Sequence, residues 1–126
     1  MSKQHKNDSN PYGVELIIDL HECDLDGLVN KEKLTEFFVT LCEKIDMKRH
    51  GDPLLWEDYS DLPHLNGVSA MQFIETSTIV AHFDELGNRA FIDVFSCKRY
   101  NPQKVAVFCK KYFQGSRISI YLEERI

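Results

Sequence analysis

Two rhythms of apolar and polar residues run along this chain. The stretch VELIIDL (residues 14–20) is apolar at most positions and partly β-branched, which predicts a central strand. Leu34, Phe37, Phe38, Leu41, Cys42 and Ile45 then recur at three- and four-residue steps, one stripe of an amphipathic helix, with Asn30 as its N-cap. Gly51 and Pro53 in KRHGDP oppose its continuation. Residues 54–59 read as a short strand and residues 60–67 as a loop. VSAMQFIET and STIVAHF read as two strands or one long bent strand. DELGN (residues 84–88) has turn chemistry, with Gly87 available for positive φ, and RAFIDVFSC completes a hairpin. Asn101 and Pro102 offer a cap and first residue for a second helix, whose face carries Val105, Phe108, Cys109 and Tyr112 before Gly115 ends it. RISIYLEER alternates as a half-exposed strand. The order β-α-β-β-β-β-α-β predicts an α/β fold of the α+β type, a two-layer sandwich with two helices on one face of a largely antiparallel sheet. The sheet face left bare predicts a homodimer.

Composition narrows the class. At 126 residues, 43% hydrophobic and 28% charged, the chain fits one domain, expected over residues 12–126 after a polar, disordered tail at 1–11. A net charge of -5 argues against nucleic-acid binding. No apolar run approaches the roughly 20 residues that span a bilayer, and the first residues lack the apolar centre of a signal peptide, so a cytoplasmic location is expected. The four cysteines, Cys23, Cys42, Cys97 and Cys109, lie within apolar patterns without metal-ligand spacing; free thiols and no metal site are expected.

The candidate chemistry lies in the hairpin, where hydroxyls need partners if buried. A turn centred near Leu86 would set Ser77 opposite Phe95 with Cys97 as its diagonal neighbour, roughly 7–8 Å away. Five residues of straight strand would put Ser77 and His82 on opposite faces, about 16 Å apart. They would cooperate only through a backbone bend or through a second subunit. There is no GxSxG elbow. Residue types alone leave two readings open: satisfied polar groups, or a reactive centre around Cys97 and His82.

Gly67-Val68-Ser69, followed by Ser77, His82 and the DVFSC run ending at Cys97, resembles the prokaryotic S-adenosylmethionine decarboxylase family. That family carries a GVS segment, a serine eight residues after its serine, a histidine five further on, and a DVF-T/S-C motif fifteen beyond; the same intervals separate positions 69, 77, 82 and 97 here. IIDLHEC resembles its first strand, and the likeness spans roughly residues 12–113. The resemblance implies a zymogen that cuts itself between Thr76 and Ser77, leaving a pyruvoyl group derived from Ser77 that forms a Schiff base with the substrate amine. It needs neither metal nor pyridoxal phosphate. His82 would be the processing base, Ser69 would assist processing, and Cys97 would be the proton donor, a thiol being mostly protonated at neutral pH. S-adenosylmethionine would be the substrate, in polyamine (spermidine) synthesis, and the enzymes it resembles associate as dimers.

The chain departs from the family pattern at Thr76-Ser77-Thr78, where Glu-Ser-His is usual, and at Asp84-Glu85-Leu86, where Trp-Pro-Glu is usual. Glu85 inherits the ribose-binding carboxylate, displaced by one position, while Trp56, Tyr59 or His64 would replace the adenine-stacking aromatic. With weaker adenosine contacts, ornithine or arginine becomes an alternative substrate, its distal cation held by Asp84 and Glu85. An unprocessed, non-catalytic paralogue acting by association is the remaining alternative. Outside this set, Asp19, Asp93 and Glu15 read first as structural carboxylates, Cys23 and the Phe37–Phe38 pair as packing, and the lone Trp56 more readily as core than as a ligand platform.

Overall fold

The computed structural model describes residues 11–126, so the expected tail, apart from Pro11, lies outside the described residues. Strands β1 (Gly13–His21), β2 (Leu54–Asp58), β3 (Gly67–Ile74), β4 (Ser77–Asp84), β5 (Arg89–Ser96) and β6 (Arg117–Arg125) form one sheet in the order β2-β3-β4-β5-β1-β6. Every pairing is antiparallel. Helices α2 (Lys31–Lys44) and α3 (Pro102–Phe113) are the two expected. A short helix α1 (Leu25–Val29) occupies what reads as a loop through Gly27. Five residues are too few to show a periodic stripe, and burial of Leu28 holds this turn in place. No helix among the described residues is long and apolar enough to cross a membrane.

The helix caps follow local sequence. Asn30 accepts the Lys33 amide, and Asn101 accepts the amides of Gln103 and Lys104 ahead of Pro102. At the end of α3 the left-handed residue is Gln114 (φ 55°), one position before the expected Gly115, whose amide bonds back to the Lys110 carbonyl. Leu16, Ile18 and Leu20 of β1, Ile79, Ala81 and Phe83 of β4 and Ile92 and Val94 of β5 are buried beneath the helices. Phe113 links the layers, with its ring centroid 4.7 Å from Phe37 and 5.3 Å from Phe83. Burying such a side chain stabilises by about 1.5–3 kcal/mol, and this shared aromatic contact sets how the helices sit on the sheet.

The register decides between two strands and one bent strand, and corrects two further expectations. β3 and β4 are separate strands, with Ile74 opposite Ser77 across the two-residue turn Glu75-Thr76. In β4–β5, Ser77 faces Ser96 rather than Phe95, a one-residue shift. Asp84 pairs with Arg89, leaving residues 85–88 as the loop; its left-handed residue is Asn88 (φ 53°), not Gly87. Gly87 instead leaves room for the Asp84–Arg89 ion pair, since a Cβ there would lie 2.6 Å from Arg89 Nε.

Among the described residues, no helix lies over the other sheet face. Glu15, Ile17, Asp19, Ser69, Met71, Val80, His82, Phe91, Asp93 and Phe95 alternate with the buried residues and stay partly accessible there. Trp56, expected in the core, is 70% exposed on this face, opposite Ser69. The residue-type argument misses it because β2 is an edge strand, leaving an outward-pointing indole without a neighbouring layer.

Candidate active site

Thr76, Ser77 and Cys97 meet at one end of the sheet. Ser77 opens β4 directly after the turn, and Cys97 follows the last residue of β5. The shifted register keeps them adjacent by a route other than the expected diagonal: the Cys97 amide donates to Ser77 Oγ at 3.2 Å. Cys97 Sγ lies 2.7 Å from Thr76 Oγ1 and 3.7 Å from the Thr76 carbonyl oxygen. The nucleophile candidate, the bond ahead of it and the thiol thus form one cluster.

Thr76 is left-handed (φ 58°) at the second position of its turn, where glycine or asparagine is usual. A β-branched residue there costs of order 1–2 kcal/mol, and the surroundings hold it. The Glu75 amide donates to the Lys48 carbonyl at 3.0 Å, the His50 amide to the Phe73 carbonyl at 2.8 Å, and Arg49 bridges to Ile74. Residues 48–50 therefore continue the β3 edge past the end of β2. The buried Gln72 side chain secures this segment by donating from Nε2 to the carbonyls of Gly51 and Phe73. No spacing rule points to residues 48–50 or Gln72, because their role depends on a bulge at Gly51-Asp52-Pro53.

Ser69 and His82 form a second group. They face each other across β3–β4 on the bare face, Ser69 Oγ 3.1 Å from His82 Nδ1. His82 lies five strand residues from Ser77, about 16 Å along the strand, and on the opposite face, as the sequence predicts. Two shallow grooves adjoin it. One, of about 430 Å³, is lined by Leu54, Trp56, Met71 and Val80 with Ser69 and His82. The other, of about 310 Å³, includes Asp58, His64, Asn66, Asp84 and Arg89. A wider groove of about 570 Å³ runs over the outside of α3 and touches none of these groups.

The remaining candidates differ in availability. Asp84 is held by Arg89 at 2.6 Å, a pair foreshadowed by opposite charges flanking a turn. Glu85 lies in the turn itself, with its amide 3.4 Å from the Asn66 carbonyl oxygen. Trp56 Nε1 donates to Asp58, leaving the ring faces exposed. Burial pushes the thiols of Cys23 and Cys42 up to about 11 and that of Cys109 up further. Those three are packed, and Cys97 is the accessible one among four free cysteines. Asp93 lies on the bare face with its carboxyl raised by burial, then by Glu15 and Asp19, against the opposing pull of His82.

Comparison with known proteins gives a consistent result. The sequence profile of the S-adenosylmethionine decarboxylase family matches residues 14–125. S-adenosylmethionine decarboxylase proenzymes from two type A strains of Clostridium botulinum are 27% identical over 109 residues, covering 86% of this chain and 89% of theirs. The crystal structure of the adenosylmethionine decarboxylase from Aquifex aeolicus superposes with a TM-score of 0.77 at 16% identity, over 93% of this chain and 92% of that one.

Proposed function

Because this chain belongs to the S-adenosylmethionine decarboxylase family, we propose that it is a self-processing, pyruvoyl-dependent decarboxylase of S-adenosylmethionine, serving polyamine synthesis. The observation that carries this reading is the cluster in which a left-handed Thr76 precedes a Ser77 whose Oγ is held by the Cys97 amide. Ser77 Oγ adds to the Thr76 carbonyl carbon, the C–N bond breaks, and the hydroxyl proton passes to the released amine. Removal of the Ser77 Cα proton expels Thr76 as a carboxylate. The unsaturated residue left behind takes up one water and releases ammonia, leaving the second chain capped by the pyruvoyl group. The residues fit that group: the new terminus falls at a strand's first residue, so cleavage leaves all six strands continuous.

When present, the group's ketone takes up the substrate amine and draws off the electrons of the departing carboxylate. Cys97 then supplies a proton to the carbon that loses carbon dioxide. Trp56 offers an exposed ring for the nucleobase in the groove beside His82, with His64 lining the polar groove and Glu85 in the turn beside that groove's Asn66 and Asp84. The ion pair with Arg89 counts against Asp84 as the anchor for a basic amino acid.

His82 and Ser69 are too far from Ser77 within one chain to act on it. A homodimer packed through the bare faces brings one copy's Ser69–His82 pair toward the other's Thr76-Ser77 bond, with His82 as the base for the elimination. Exposed Leu54, Trp56 and Phe73 on that face support such packing.

Intact mass tests the processing. The purified protein should resolve into two fragments divided between Thr76 and Ser77, with the second blocked to N-terminal sequencing, and should release carbon dioxide from S-adenosylmethionine. Ser77→Ala should remain one chain of 14.7 kDa. Cleavage in Ser77→Ala would reject the nucleophile; a wild type that stays whole would reject the enzyme reading.

A further inference from the structure

Thr76 is the scissile residue, yet its side chain enters none of the steps above. Its hydroxyl has one proton, and that proton is committed: Oγ1 donates to the Glu75 carbonyl at 2.6 Å. With that proton on the Glu75 carbonyl, the 2.7 Å contact is one in which the Cys97 thiol donates to Thr76 Oγ1, the nearer of its two acceptors, the Thr76 carbonyl oxygen lying at 3.7 Å. A thiol can make this bond only while it keeps its hydrogen. We propose that Thr76 is a positioning residue that holds Cys97 as a protonated, oriented donor, so that the last residue of the first chain serves the second chain's chemistry; this rests on the decarboxylase reading.

Cleavage leaves the arrangement anchored. The Glu75–Lys48 and Phe73–His50 backbone bonds and the Arg49–Ile74 bridge all lie before the scissile bond. Thr76 thus stays one residue beyond a fixed position. Other charged side chains belong to the segments around Cys97: Glu75 in the turn, Asp46, Lys48 and Arg49 before β2, and Lys98 and Arg99 after β5. Lys98 is turned to Asp46 and Arg49 to Gly51 and Asp52. Thr76 Oγ1 lies directly on the sulfur, at 2.7 Å.

The test separates this role from processing. In the uncut Ser77→Ala chain, the rate of Cys97 alkylation by iodoacetamide is followed against pH at the peptide level, the other three cysteines being buried. Adding Thr76→Val keeps the β-branched shape but removes the acceptor. The alkylation midpoint should fall by about 0.7 pH unit, a roughly five-fold change in ionisation constant equivalent to ~1 kcal/mol, the size of one hydrogen bond. Thr76→Ala should shift it likewise, and Thr76→Ser should not. In the processed enzyme, Thr76→Val should bring the alkaline limb of kcat to lower pH with KM little changed. An alkylation midpoint that stays put in both Thr76→Val and Thr76→Ala overturns the proposal. A wild type that never cleaves or decarboxylates would instead sink the underlying enzyme reading, whatever the alkylation midpoint does.

Discussion

Asp93 projects from the middle of β5 onto the bare face, opposite Ile17 and Val80. Burial, then Glu15 and Asp19, lift its carboxyl above the ordinary range. A raised carboxyl destabilises the fold wherever it is charged, and the sign is as follows. Below the ordinary carboxylate range the group is neutral in both folded and unfolded chains, so it costs nothing. As pH rises, the unfolded chain ionises first, and the penalty grows until the folded carboxyl has ionised too; above that it is constant. Asp93→Asn should therefore raise the melting temperature at about pH 7.5 and leave it unchanged at about pH 3. An equal shift at both values would mean that packing, not charge, governs the site. A partly buried acid beside two others is an expense for a sheet surface, and it sits on the face that His82 and Ser69 share.

At the level of elements, the β3–β4 hairpin carries both halves of the candidate site, so its backbone spacing matters more than any one contact. A Cβ at Gly67 would run into the Phe83 carbonyl oxygen across the strand pair, two residues from Ser69. Gly67→Ala should push β3 from β4, lower stability by about 1–3 kcal/mol, and slow self-cleavage; an unchanged melting temperature would show that the strands yield freely. Helices α2 and α3 were legible because a cap and an apolar stripe are local: Asn30, Asn101 and the Phe37–Phe38 stripe needed no knowledge of the rest of the fold. Register was not, because one loop residue moves a whole strand, and Asn88 rather than Gly87 took the left-handed position. The same shift exchanged Phe95 for Ser96 opposite Ser77. The candidate residues were singled out by the likeness of their intervals to a family pattern, and strand alternation alone set Ser77 and His82 on opposite faces; that Thr76 joins Ser77 and Cys97 at the sheet's end required the strand pairing. Trp56 went astray because residue type does not say which strand lies at an edge.

On the scale of the whole molecule, the separation of Ser77 from His82 bears on how many chains make one site. If the site is built across two copies, each one joins the Thr76-Ser77-Cys97 cluster of one chain to the Ser69–His82 pair of the other. Mixing two defective chains then distinguishes the cases. His82→Ala alone should stay largely uncut, since both composite sites lack the base, and Ser77→Ala alone should stay uncut for want of the nucleophile. In a mixed dimer formed by co-expression, one site combines Ser77 of the His82→Ala chain with the intact His82 of its partner. That chain should now be cleaved between Thr76 and Ser77, while the Ser77→Ala chain remains whole. Mass spectrometry of the mixture reads both results at once. Cleavage of neither chain would place the base within the same copy, which would require the straight strand between residues 77 and 82 to bend. Rescue confined to the His82→Ala chain would mean that neither copy alone is a complete catalyst and that the bare face of the sheet is where the enzyme is assembled.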